Sequence, residues 1–120
     1  MHNIASPRAD DSAIEQEIKA KGLTAPRITP DDVEGNIVSE HYYTAAEACE
    51  AVGTATMRPG PLDLLTHCVL VLKNGFTVTG ESACASPENF DAGIGRKIAR
   101  ENAKNKIWAL MGYELKSRLA

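Results

Sequence analysis

The stretch "LLTHCVLVLKNGFTVTGES", residues 64–82, decides the fold. Two runs rich in β-branched residues flank Asn74-Gly75, a dipeptide that tolerates the positive φ angles of a type I′ turn, so the stretch reads as a β-hairpin. A two-residue turn would pair Lys73 with Phe76, Val71 with Val78 and Leu70 with Thr79. That register places Val69, Val71, Phe76 and Val78 on one face and Cys68, Leu70, Leu72, Thr77 and Thr79 on the other. Neither face is fully polar, so both are expected to be covered.

Downstream, "ASPENFDAGIGRKIARENAKNKIWALMGYELKSRLA" reads as the principal helix, with Ser86 as N-cap, Pro87 at N1, and Glu88 and Asp91 in the first turn. At 100° per residue, Phe90, Ile94, Ile98 and Trp108 share one stripe, while Ala92, Ala99, Ala103, Ile107 and Leu110 form a second, roughly opposite. Two stripes require two partners, the hairpin and a neighbouring helix or subunit. Gly93 and Gly95 cost about 1 kcal/mol each against alanine in a helix interior, which points to close approach of another backbone or a ligand.

Upstream of the hairpin, residues 1–9 show no periodicity and read as frayed. "DDSAIEQEIKAKG" is acidic at its start, carries lysines at its end and stops at Gly22, the charge order that a helix dipole favours. "LTAPR" is a linker. In "ITPDDVEGNIVSE", Thr29 is an N-cap and Pro30 an N1 residue, and Ile28, Val33 and Ile37 can share a helical stripe. Thr44 and Glu47 have capping-box spacing before a short helix ended by Gly53, with a strand over 41–45 as the alternative. "TATMRPGPLD" is loop, and Arg58 within it is the one cation between Arg27 and Lys73. The expected fold is α+β: an antiparallel sheet including a hairpin at about 65–81, N-terminal helices and a long C-terminal helix, in an oligomer. Residues 1–27 form an N-terminal extension with one helix, and 28–120 a single ligand-binding domain.

Composition restricts function. A chain of 120 residues with 5% aromatic residues can bury only a modest core, and oligomerisation would add to it. Cys49, Cys68 and Cys84 are odd in number, lack a CxxC and read as reduced core thiols, while His2, His41 and His67 are too scattered to imply a metal. No apolar leader opens the sequence, and the longest apolar run, 69–72, is far too short to span a bilayer, so an intracellular protein is expected. Net charge is −3, yet residues 1–65 hold 5 basic and 11 acidic side chains whereas 66–120 hold 8 and 5. Anion binding therefore belongs to the C-terminal half.

Within that half, Arg96, Arg100 and Lys104 recur at helical spacing with Lys97 beside them. Like charges so placed repel, and only Glu101 is close enough in sequence to relieve them. Two readings stand: a solvated helix face, or a site where arginines one turn apart fork onto phosphate oxygens. Asn89 and Phe90 would sit in the first turn, where free N–H groups favour an anion; Asn89 suits a base or ribose, or a cap, and Phe90 suits the core. Phe76 can stack on a purine or pack across the strand. Arg58 is a further loop contact. Catalysis is not indicated: "GESAC" is not a nucleophile elbow, "GIGRKIA" is not a dinucleotide fingerprint, and nothing activates Cys84 or His67.

Over residues 28–119, the combination NGF-x-V-x-GESAC, NFD-x-x-IGRKIA and IW-x-L-x-GY resembles a family of small phage proteins associated with the first type of anti-Thoeris protein. The resemblance implies a non-enzymatic sponge, acting in the cytoplasm of the infected host, that binds cyclic ADP-ribose isomers made by TIR-domain enzymes and holds them uncleaved. It implies a mixed α/β protein assembling through dimers, no cofactor and no membrane partner; some members also hold cyclic oligonucleotides at separate sites. Carried over by residue, Arg96 and Arg100 would take the diphosphate, and Asn89 with Phe76 or Phe90 the base and ribose. This chain departs from the family pattern at Gly93 and Met111. Two other classes compete: a nucleic-acid-binding module using the basic helix at 96–106, which the acidic total disfavours, and a phage protein-interaction subunit.

Overall fold

A computed structural model describes residues 11–120; the expected fraying of residues 1–9 lies outside them. The chain runs α1 (Asp11–Ala20), α2 (Pro30–Gly35), β1 (Ile37–Thr44), α3 (Ala45–Ala51), β2 (Leu65–Leu72), β3 (Thr77–Ala83) and α4 (Ala92–Leu119), with single 3-10 turns at Pro61–Leu64 and Pro87–Asn89. The architecture is α+β as expected. One three-stranded antiparallel sheet has the order β1-β2-β3.

The hairpin forms, but its register differs from the expected one. Leu70 pairs with Val78 and Val71 with Thr77, because the connection is a three-residue loop, Lys73-Asn74-Gly75. Gly75 takes φ +88°, the left-handed residue that such loops require. The Phe76 amide donates to Asn74 Oδ1 at 2.9 Å, and the Leu72 amide to the Phe76 carbonyl at 2.8 Å. A slip of one residue sends side chains to the other face. Val78 therefore joins Cys68, Leu70 and Leu72 in the core, while Val69 and Val71 lie half-buried on the opposite face beside Thr77 and Thr79.

The strand β1 corrects the reading of Ile37 as helical. The α2 helix ends at Gly35, and Asn36 is tied to the hairpin, its backbone and side-chain oxygens both accepting from the Lys73 amide at 3.1 Å. Beyond it, "IVSEHYYT" is rich in β-branched and aromatic residues and pairs with β2 from Thr66 to Leu72, with an irregularity between Ile37 and Ser39. Thr44 closes the strand and caps α3: its hydroxyl accepts from the Glu47 amide at 3.1 Å and Glu47 Oε1 from the Thr44 amide at 2.8 Å. Both alternatives for this region thus hold in succession, strand and then helix.

The start of α4 also differs from the expected one. Ser86 and Pro87 open only a 3-10 turn, the chain is extended at Phe90 and Asp91, and Asp91 is the cap, its Oδ1 accepting from the Ile94 amide at 2.9 Å. From there α4 crosses the inner face of the sheet on Gly95, Ala99, Ala103 and Ile107, all buried. The small side chains allow close contact: a Cβ on Gly80 would lie 2.3 Å from the Ala99 carbonyl oxygen and the Ala103 nitrogen. At Gly95 the close neighbour is a side chain rather than the backbone or ligand expected, since a Cβ there would stand 3.0 Å from Thr66 Oγ1, and at Gly93 only Asp91 Oδ1 is near, at 3.3 Å. Val33 of α2 completes the core, and Trp108, on the other stripe of α4, packs at its margin.

Candidate anion-binding cleft

The basic flank of α4 does not stay bare. Arg100 donates to both oxygens of Glu34 on α2, at 2.8 and 3.1 Å, and its Nε to Glu40 on β1 at 3.2 Å. Lys104 stands 3.4 Å from Glu34 and 3.2 Å from Glu101. Glu101 relieves the row from within α4, and folding adds Glu34 and Glu40 from other elements. The Arg100 bond holds the Glu34 carboxyl below its ordinary range, and the Tyr42 hydroxyl, donating to Glu40 at 2.7 Å, does the same there with help from Arg100. Burial and that hydrogen bond raise the Tyr42 phenol well above its usual value. An anion arriving at Arg100 must compete with two carboxylates already in place.

Arg96, one turn earlier, has a different setting. Its guanidinium lies over the Tyr42 ring, 5.7 Å from the centroid, a cation–π contact that orients it without neutralising it. Lys97 is exposed and enters no ion pair among the described residues. Arg96 opens onto a cleft of about 290 Å³ formed where β1 passes into α3, where the loop before β2 folds back, and where α4 begins.

The loop delivers Arg58 to the same cleft. Arg58 bonds to Asp63 Oδ1 through Nε at 2.8 Å and also pairs with Glu50, while Asp63 Oδ2 accepts from the Gly60 amide at 2.8 Å. Phe90, half-buried, supplies an aromatic wall, and Tyr43, Glu47 and Thr66 are among the other lining residues. The Glu47 carboxyl is held below its ordinary range, first by the Thr44 amide and hydroxyl and then by the fields of Arg96 and Arg58.

Of the residues singled out from sequence, Arg58, Phe90 and Arg96 converge on this cleft. Arg100 and Lys104 lie further along α4 in their own carboxylate network. Phe76, 56% exposed, sits at the hairpin tip, four residues along the strand direction from the Cys68 level where Tyr42 pairs, or about 13 Å. Asn89 precedes α4, and its amide bonds to the Ser86 carbonyl at 3.0 Å, so the expected free N–H groups of a first helical turn are not at that position. Tyr43, Glu47 and Asp63 were not anticipated as lining. Only the capping-box spacing of Glu47 marked any of them in the sequence.

No helix among the described residues is long and apolar enough to cross a membrane. Comparison with curated proteins and with solved structures gives no match. The sequence pattern of one family matches residues 28–119, which span the sheet, the cleft and the whole of α4. The chain belongs to the Phage protein (N4 Gp49/phage Sf6 gene 66) family.

Proposed function

We propose that this phage-family protein is a counter-defence sponge that binds a cyclic ADP-ribose isomer made by a TIR-domain enzyme and withholds it without cleaving it. The observation that carries the reading is the convergence of Arg58, Arg96 and Phe90 on one cleft. Arg96, which enters no ion pair among the described residues, suits a phosphate; Arg58 adds a second guanidinium by sharing or exchanging its Asp63 and Glu50 partners, and an aromatic wall suits a base. A cyclic ligand has a fixed shape, so little conformational entropy is lost when a rigid site takes it.

At about 290 Å³ the cleft is at the lower end of small-molecule sites and smaller than such a ligand needs. A second copy of the chain, closing over the exposed Arg96 and Lys97, supplies the missing enclosure, and the working unit is a homo-oligomer in the host cytoplasm. To compete with a cellular sensor the affinity must be on the order of nM, about 12 kcal/mol. The nucleic-acid reading is weakened by the pairing of Arg100 and Lys104 with this chain's own carboxylates, which leaves a shorter basic strip for a phosphate backbone.

Calorimetric titration with cyclic ADP-ribose isomers, followed by heat denaturation and mass analysis of the released ligand, tests the proposal. Tight binding with the ligand recovered intact is the expected result. A cleaved product would make the protein an enzyme, and no binding would overturn the reading.

A further inference from the structure

The cleft is not simply cationic. Arg58 and Arg96 share its wall with Glu47 and Asp63, so the four charged side chains sum to zero, and Arg58 also pairs with Glu50. A site selecting for anionic charge alone would not carry two carboxylates among its arginines, because each opposes an arriving phosphate at close range. Asp63 has a structural task, holding the Gly60 amide and Arg58. Glu47 has a smaller one. Its Oε1 accepts from the Thr44 amide, and a carboxylate has about four acceptor positions, so capacity remains for donors brought by a ligand.

Glu47 also lies within electrostatic reach of both guanidiniums, which help to hold it ionised. Resting on the proposed function, we infer that Glu47 is the specificity-determining residue of the cleft: it repels free polyanions from Arg58 and Arg96 and accepts hydrogen bonds from hydroxyls of a ribosyl phosphate ligand. A phosphate group is admitted when its carrier brings hydroxyl donors to satisfy Glu47. Inorganic pyrophosphate brings more negative charge and no such donors, and it is rejected. The recognised class is a phosphodiester or diphosphate carrying ribose hydroxyls.

The test is Glu47→Gln, because glutamine keeps the capping box with Thr44 and removes only the charge. Full-length wild type, Glu47→Gln and, as a control for net charge, Glu114→Gln on the exposed end of α4 are titrated with inorganic pyrophosphate up to 10 mM and with a cyclic ADP-ribose isomer. The expected result is a gain of about tenfold or more in pyrophosphate affinity for Glu47→Gln alone, with a loss of about tenfold for the cyclic ligand. Unchanged pyrophosphate affinity, or an equal gain in Glu114→Gln, overturns the role of Glu47. If no protein binds the cyclic ligand yet Glu47→Gln gains pyrophosphate, the sponge reading falls and the exclusion of polyanions by Glu47 stands. Tight binding of the cyclic ligand by wild type with no pyrophosphate gain in Glu47→Gln leaves the sponge intact and removes Glu47 as its filter.

Discussion

Arg100 of α4 grips both carboxylate oxygens of Glu34, 66 residues earlier, at 2.8 and 3.1 Å. With Glu40 on the same guanidinium, this fork ties the first helix of the matched region and the edge strand β1 to the long helix. Glu34 and Glu40 are partly exposed, so solvent screening limits their worth to about 1 kcal/mol together. Both carboxyls are depressed in the folded chain. Their contribution is therefore complete above the unfolded carboxylate value of about 4.3 and is lost as pH falls through the lower folded values. Urea melts between pH 7 and 3 should show this loss in the wild type. In Arg100→Met the same limb should be shallower, and an unaltered limb would remove the tie.

Gly80 and Gly112 predict opposite signs for the same substitution. A methyl on Gly80 would overlap the backbone of α4 at Ala99 and Ala103, neither of which can yield as a side-chain tip could. Gly80→Ala should destabilise by about 3 kcal/mol or more, the upper range for overpacking. Nothing lies within 4 Å of the Cβ position at Gly112, and Gly112→Ala in the helix interior should stabilise by about 0.5–1 kcal/mol. Midpoints of chemical denaturation for the two variants decide it.

The true cap of α4 gives a third comparison. Asp91→Ala removes the acceptor for the Ile94 amide and should cost about 1 kcal/mol. Ser86→Ala, at the position that sequence pattern favours, removes no side-chain cap bond. It should stay within about 0.5 kcal/mol of wild type. Equal costs at both positions would mean that the 3-10 turn and α4 behave as one helix.

These comparisons show where local pattern sufficed. The capping box at Thr44 and Glu47 and the hairpin at Asn74-Gly75 are short-range signals, and both elements formed where the residues pointed. The register was not legible, because Gly75 serves equally as the second residue of a two-residue turn or the third of a longer loop, and that choice moves Val78 between faces. Ile37 misled because the cap at Thr29 and Pro30 announces a helix start but says little about its end; the pairing with β2 sets the end. The partners of Arg100 were invisible for a plainer reason. Separations of 60 and 66 residues leave no periodic trace in a single chain. The same holds for the meeting of Arg58 with Arg96 and Phe90, which depends on the loop before β2 folding back beside the start of α4.

Position separates the two aromatic candidates. Phe90 shares the cleft with Arg58 and Arg96, whereas Phe76 stands exposed at the hairpin tip. With the cyclic ligand seated against this cleft, Phe90→Ala should weaken binding about tenfold or more, the loss of a stacked aromatic of about 1–3 kcal/mol. Arg96→Ala should cost about 10- to 100-fold, as expected for a charge-assisted bond of about 1.5–3 kcal/mol. Phe76→Ala should leave affinity within about threefold. Calorimetry on the three variants, each checked for an unchanged melting curve, gives the answer. A large loss at Phe76 instead would place the hairpin tip of a second copy over the cleft. The wall at Phe90 would then be half of a site completed between subunits.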